Sequence, residues 1–189
     1  MQHRADRTRG RSRMFRTLVV LCMLCGYAAV NSGHTLETYP EDAVKAAFVY
    51  RFAAYVKWPE DSLPPDRFTI AVLGAGDVAA NLHALTSGRT LLGRPVQVRQ
   101  VASIHQADDA QILFVGNDRH TNLHALRSAL AGRATLVVSD AEDGLNWGSA
   151  INLLLVEHRV RFEISVPAAE QAGLKISSDL LTLAVEVRQ

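Results

Sequence analysis

The sequence predicts an α/β protein. It reads as one domain with a mostly parallel central sheet flanked by helices, closed by a C-terminal antiparallel hairpin and two short helices. Two observations predict this. The apolar runs FTIAVL, VQVRQV, ILFV and TLVVS are separated by intervening segments, two of them helix-like, the pattern of parallel strands covered on both faces. After Ser149 the spacing changes. INLLLV (Ile151–Val156) and the alternating VRFEISV (Val160–Val166) are joined by a very short link near Glu157–Arg159, as an antiparallel hairpin requires.

The elements follow in order. Val44, Ala47, Phe48, Phe52, Tyr55 and Val56 recur at steps of three and four, which predicts a helix over Glu41–Lys57 with one apolar face. Pro59 stops it, and PEDSLPPDR is a polar loop. Phe68–Leu73 is a buried-type strand, Asp77–Thr86 a helix, and Val96–Val101 and Ile112–Val115 are strands. Arg119–Leu130 is a helix with Leu123, Leu126 and Leu130 on one side, ended by Gly132. Thr135–Ser139 is a further strand. In the hairpin's second strand, Val160, Phe162, Ile164 and Val166 share the core face. Arg159, Arg161, Glu163 and Ser165 share a wet or partner-facing one. Pro167 suits a first helical position, Gly173 ends that helix, and Ser177, Ser178 and Asp179 offer caps for the last.

Length and composition fit a globular domain: 189 residues, 48% hydrophobic and 21% charged. The charge is unevenly placed. Six arginines (Arg4, Arg7, Arg9, Arg11, Arg13, Arg16) and one acid, Asp6, lie in residues 1–33. Of 20 basic and 19 acidic residues, 14 and 18 remain beyond them, a net charge of about −4. That is a poor match to phosphate backbones and argues against nucleic acid as a partner. The basic stretch is followed by an apolar run, Leu18–Val30, and then small residues. The arrangement predicts a secretory signal over residues 1–33, cleaved after Ala28, Ala29 or Ser32, and a periplasmic domain over 34–189. Both cysteines, Cys22 and Cys25, lie inside the signal, so the mature domain can form no disulfide.

Candidate chemistry is sparse. Gly74-Ala75-Gly76-Asp77-Val78-Ala79 follows a strand and opens a helix, fitting G-x-G-x-x-A. Against a pyrophosphate stand the charge of Asp77 and the lack of an acid at the end of the next strand; a tight turn explains it. His120 and His124 are helically spaced for one metal, with His83, His105 or Asp118 as third-ligand candidates, but nothing in the sequence brings these together. Ser139-Asp140 at a strand end suggests a catalytic edge in an α/β sheet, but a polar turn is the more common explanation. The reading is therefore not an enzyme, with no cofactor and no metal. Phe48, Tyr50, Phe52, Tyr55 and Trp58 form an aromatic cluster, most of it core. Tyr50 and Trp58 are the candidates for contact with a small ligand.

Several separated motifs resemble the YfiR family in the family's own order: VKAAFVYRFAAYVKWP, FTIAVLG, GRPVQVRQV, AQILFVG, TLVVSDAEDG and INLLLVEHRVRFEISVPAAEQAGLKISSDLLTLA. The resemblance runs from about Val44 to Ala184. It implies an exported α/β regulator, often dimeric. The best-known type represses an inner-membrane diguanylate cyclase by binding its periplasmic sensor region, is sequestered by an outer-membrane lipoprotein, and so sets cyclic di-GMP and biofilm formation. An inner-membrane cyclase or sensor kinase is the partner expected here. Disulfide dependence, proposed for some members, does not carry over, because the mature part lacks Cys. Candidate partner contacts are Arg161 and Glu163 on the wet strand face and an apolar spot of Leu174, Ile176 and Leu180. The same three apolar residues fit equally well as core. A periplasmic small-molecule sensor without a cyclase partner is the alternative reading.

Overall fold

In the computed structural model, residues 40–117 and 123–189 are described. The signal expected over residues 1–33, and the His120 and Asp118 of the metal candidate, lie outside them. No helix among the described residues is long and apolar enough to cross a membrane.

Helix α1 (Glu41–Phe52) starts after Pro40 with Glu41 and Asp42 in its first turn and Arg51 in its last, charges that complement the helix dipole. It is shorter than the periodicity predicts. The chain turns at Ala53–Tyr55, and β1 (Val56–Lys57) pairs antiparallel with β9 (Lys175–Ile176), Val56 opposite Ile176. A distant strand thus takes residues that local spacing assigns to the helix. The buried set also differs: Lys45, Ala46, Val49 and Phe52. Helix α1 packs against both α2 (Gly76–Thr86) and β8 (Arg159–Ser165). Its predicted stripe residues Val44, Ala47 and Phe48 are therefore only half-buried.

The strands β2 (Phe68–Leu73), β3 (Thr90–Leu91), β4 (Arg94–Val101), β5 (Ile112–Val115), β6 (Leu136–Ser139), β7 (Ile151–Val156), β8 and β10 (Glu186–Arg188) form one sheet. Their order is β10-β8-β7-β6-β5-β2-β4-β3. The stretch β4-β2-β5-β6-β7 is parallel throughout. Its chain reverses direction of travel across the sheet beside β2, the doubly wound arrangement. β7 and β8 form the expected antiparallel hairpin, Leu153 opposite Phe162 and Leu155 opposite Val160. Its two-residue link, Glu157 and His158, has positive φ at both positions (48° and 60°), the backbone of a tight hairpin turn that matches strand twist.

Alternation along the strands divides the core between two faces. Phe68, Ile70, Val72, Ile112, Phe114, Leu136, Val138, Phe162 and Ile164 pack under α1 and α2. Ala71, Leu73, Leu113, Val115 and Val137 pack on the other face, with Leu126 of α3 (Leu123–Ala129) and Ile104 and Ala107 of a 3₁₀ turn. Phe162 meets Phe48 and Phe52 at ring centroid distances of 5.6 and 5.3 Å, tying the hairpin to α1. Helix α4 (Val166–Gln171) is capped by Ser165, whose hydroxyl accepts from the Ala168 N–H, with Pro167 in its first turn. Helix α5 (Ser178–Leu183) is capped by Ser177 through the Leu180 N–H.

Candidate functional site

The C-terminal ends of β5 and β6 lead into a buried polar cluster. Lys45 on α1 reaches across to the loop after β6. Its Nζ donates to Asp140 Oδ2 at 2.6 Å and pairs with Glu41 at 2.7 Å. Asp140 Oδ1 accepts from the Asn117 N–H at 2.8 Å, so this carboxylate is shared between a helix and two loop ends. Burial alone would lower the Lys45 pKa. The hydrogen bonds and charges of Asp140 and Glu41 outweigh it and hold the ammonium above its ordinary 10.5. Lys45 is thus a charged strut between helix and sheet, engaged on both sides.

Beside it, Ser139 is fully buried and points into a polar network rather than toward solvent. Its Oγ contacts Ser149 Oγ at 2.9 Å and donates to Asn152 Oδ1 at 2.6 Å. Ser149 donates to the Ile151 carbonyl, and Asn152 Nδ2 donates to Glu163 Oε1 at 3.0 Å. The 3₁₀ turn Gly144–Trp147 packs against β7 and β8 over this network. A Cβ on Gly144 would overlap Asn152 Oδ1 and Ser139 Oγ. Ser139-Asp140 therefore serves two structural contacts, and the Ser is not presented to a substrate.

The Gly-rich turn is tight, with Gly74 at φ 74° and Ala75 at φ 48°. A Cβ on Gly76 would lie 3.4 Å from Gln100 Nε2. Among the described residues, no group of three His, Cys, Asp or Glu side chains could hold a metal.

A cleft of about 380 Å³ opens on the α3 side of the sheet, between α3, the Gly132 turn, the Gly144–Trp147 turn and α4. Leu126, Leu130, Val137, Leu145 and Ala168 supply its apolar wall, and Arg133 lies in its lining. Neither Tyr50 nor Trp58 lines it. Tyr50 is half-buried with the Arg89 guanidinium 6.0 Å from its ring centre. Trp58 is buried edge-on against Phe68 at 5.5 Å. The aromatic helix packs the opposite face.

The partner-contact candidates are spread differently from the sequence expectation. Arg161 is exposed and Ile176 half-buried. Glu163 is only 9% exposed, because Asn152, directly opposite in the register, and the covering 3₁₀ turn enclose it. Ser165 is buried too, so the supposedly wet face of β8 is wet only near Arg159 and Arg161. Leu174 and Leu180 are core, at 1% and 3% exposure. The large apolar side chains in solvent lie elsewhere. Leu155 (56%) and Val156 (42%) stand at the hairpin tip, Leu183 (61%) and Val185 (54%) between α5 and β10, and Leu92 (45%) in the turn between β3 and β4. Sequence reading missed them because a strand-end Leu and an interior one look alike. The signal present was the tip's position next to Glu157-His158-Arg159.

One solved structure supports the fold. A conserved domain protein from Vibrio cholerae O1 biovar El Tor superposes with a TM-score of 0.52 at 14% identity, over 78% of this chain. This chain spans 60% of that protein's length. The ABC domain from Streptococcus pneumonia, solved in complex with L-Trp, reaches a TM-score of 0.44 at 13% identity, over 67% of this chain and 57% of its own. Residues 42–185 match the family described as YfiR/HmsC-like (DUF4154). That span includes α1 from Asp42 on, every strand from β1 to β9, and the hairpin; the chain belongs to the YfiR/HmsC-like family.

Proposed function

We propose that the chain is an exported repressor that binds an inner-membrane signalling enzyme, a diguanylate cyclase, and thereby lowers cyclic di-GMP and biofilm formation. The observation that carries the reading is the family match over residues 42–185. A repressor needs a surface that gains contact with one state of its target. The β7–β8 hairpin tip supplies one: Leu155 and Val156 are apolar and exposed, and Arg159 and Arg161 beside them are exposed cations. An apolar spot rimmed by charge has the anatomy of an interface. Ile176 lies on the β1–β9 pair and is the second contact kept from the sequence reading. Glu163, Leu174 and Leu180 act in this account by holding the hairpin and the C-terminal helices in place. An outer-membrane lipoprotein that competes for the same tip completes the scheme.

The test is genetic. Deleting the gene should raise cyclic di-GMP, and the wild-type gene should restore it. Leu155→Asp with Val156→Asp should fold normally and fail to restore it. Unchanged cyclic di-GMP on deletion would reject the reading.

The cleft favours a second reading, a small-molecule sensor, which is compatible with the first if ligand changes partner affinity. Its apolar wall and Arg133, a cation among its described lining residues, suit a small amphipathic anion. A thermal-shift screen with amino acids and other small carboxylates tests it, with Leu145→Trp, which fills the cleft, as the control that should abolish any shift.

A further inference from the structure

The cleft beside α3 stands where a crossover helix would lie. β6 runs to its parallel neighbour β7 through residues 140–150, and the regular structure of that connection is the 3₁₀ turn Gly144–Trp147 alone. Parallel neighbours are usually joined through a whole helix, which covers the sheet. Here α3 bounds the strip on one side and α4 on the other, and the gap between them is the cleft of about 380 Å³. Leu126, Val137, Leu145 and Ala150 in its lining are buried from bulk solvent.

Its lining is aliphatic, and most of its polar side chains are occupied. The described lining residues include no aromatic ring and no carboxylate. The Thr135 hydroxyl donates to the Ala110 carbonyl at 2.8 Å, the Ser165 hydroxyl accepts from the Ala168 N–H, and Asn146 Oδ1 accepts from the Arg188 guanidinium at 2.7 Å. Arg133 is held differently. Its ion pair with Asp108 is stretched to 4.0 Å, and both side chains are more than half exposed. Such a pair is worth little, so the guanidinium is free to take a better anion. An aliphatic slot with a cation beside it and no ring to stack on selects an alkyl chain with a negative head over a planar aromatic. At ~30 Å³ for a group the size of a water, 380 Å³ holds roughly a dozen such groups, about the size of a ten-carbon fatty acid.

We infer that the cleft binds a free fatty acid of medium chain length, its carboxylate on Arg133 and its alkyl chain along Leu126, Val137 and Leu145. The inference rests on reading the cleft as a sensor site and narrows its ligand to one class. A chain esterified in a lipid lacks the negative head and is not the ligand.

Isothermal titration calorimetry of the purified protein with decanoate, kept below its micelle concentration, tests it. Binding should saturate at about one decanoate per chain. Octanoate and hexanoate should bind successively more weakly, by about fourfold for each methylene removed. Arg133→Met should weaken decanoate about tenfold or more and leave uncharged decanol where it was. Methyl decanoate, which mimics an esterified chain, should bind no better than decanol. Leu145→Trp and, on the α4 wall, Ala168→Leu each fill the cleft and should remove binding. Circular dichroism shows which of the two is folded, and either one suffices. Uptake of many decanoates per chain, indifferent to these variants, is surface adsorption and overturns the inference. So does methyl decanoate binding as tightly as decanoate. Saturable binding of indole-3-acetate in place of decanoate overturns it and leaves the sensor reading standing. A cleft that takes neither overturns both.

Discussion

Gly144→Ala adds one methyl group to a turn and should cost more stability than its size suggests. The added Cβ would overlap Asn152 Oδ1 and Ser139 Oγ. Neither neighbour is the free end of a flexible chain: both are fully buried and hydrogen-bonded to each other. Either the Gly144–Trp147 turn lifts from β7 and β8, or the Ser139–Asn152 bond opens. Overpacking of this kind costs about 1–3 kcal/mol, and a buried polar pair left unsatisfied costs about 1–3 kcal/mol more. A loss of about 3 kcal/mol lowers Tm by about 10 °C in a domain of this size. Thermal unfolding followed by circular dichroism measures it. Gly88→Ala is the control, because its Cβ would meet nothing within 4 Å and only its φ of +68° opposes the change; about 1–2 kcal/mol is expected there. If Gly144→Ala melts within two or three degrees of wild type, or above Gly88→Ala, the network is not as tightly enclosed as argued.

Further outcomes follow from the same contacts. Lys45 has its folded pKa raised above 10.5. The stabilisation it gives is therefore full at neutral pH and is lost as pH climbs through that raised value. Melting curves taken from neutral to strongly alkaline pH should show a smaller alkaline fall for Lys45→Met than for wild type. Phe162→Ala removes the ring between Phe48 and Phe52 and should cost about 3–5 kcal/mol, read by urea denaturation. Ser177→Ala removes the cap on the Leu180 N–H and should cost about 1 kcal/mol, enough to loosen α5 in hydrogen exchange. Leu155→Asp should leave Tm unchanged within a degree or two, since the side chain is already 56% exposed.

Elements whose signal is local were legible in the sequence. β2, β5 and β6 are apolar runs broken only by Thr69 and Ser139, and the structure buries every residue of each. The hairpin announced itself by alternation and by its short link. Gly173 ends α4 with a positive φ of 73°, and Ser177 caps α5, both as expected. What escaped was pairing at a distance. β1 and β9 are two residues each and exist only because they meet; β10 has three residues and depends on β8. No periodicity can register in so few positions. Glu163 misled for a related reason. Alternation tells which face a side chain is on, not whether a later or earlier turn covers that face. The covering turn, DGLNWG, reads locally as a loop. Leu174 and Leu180 fitted both core and surface in the sequence, and only the packing of α4 and α5 onto the sheet decides for core.

Direct repression of a cyclase by the exported protein is open to biochemical test. The sharpest test reconstitutes the inner-membrane diguanylate cyclase in membranes with its periplasmic sensor region accessible, adds purified protein to that side, and measures cyclic di-GMP made from GTP. Saturable inhibition by wild type, and none by the Leu155→Asp/Val156→Asp variant, is expected. Full cyclase activity at saturating wild-type protein would contradict it.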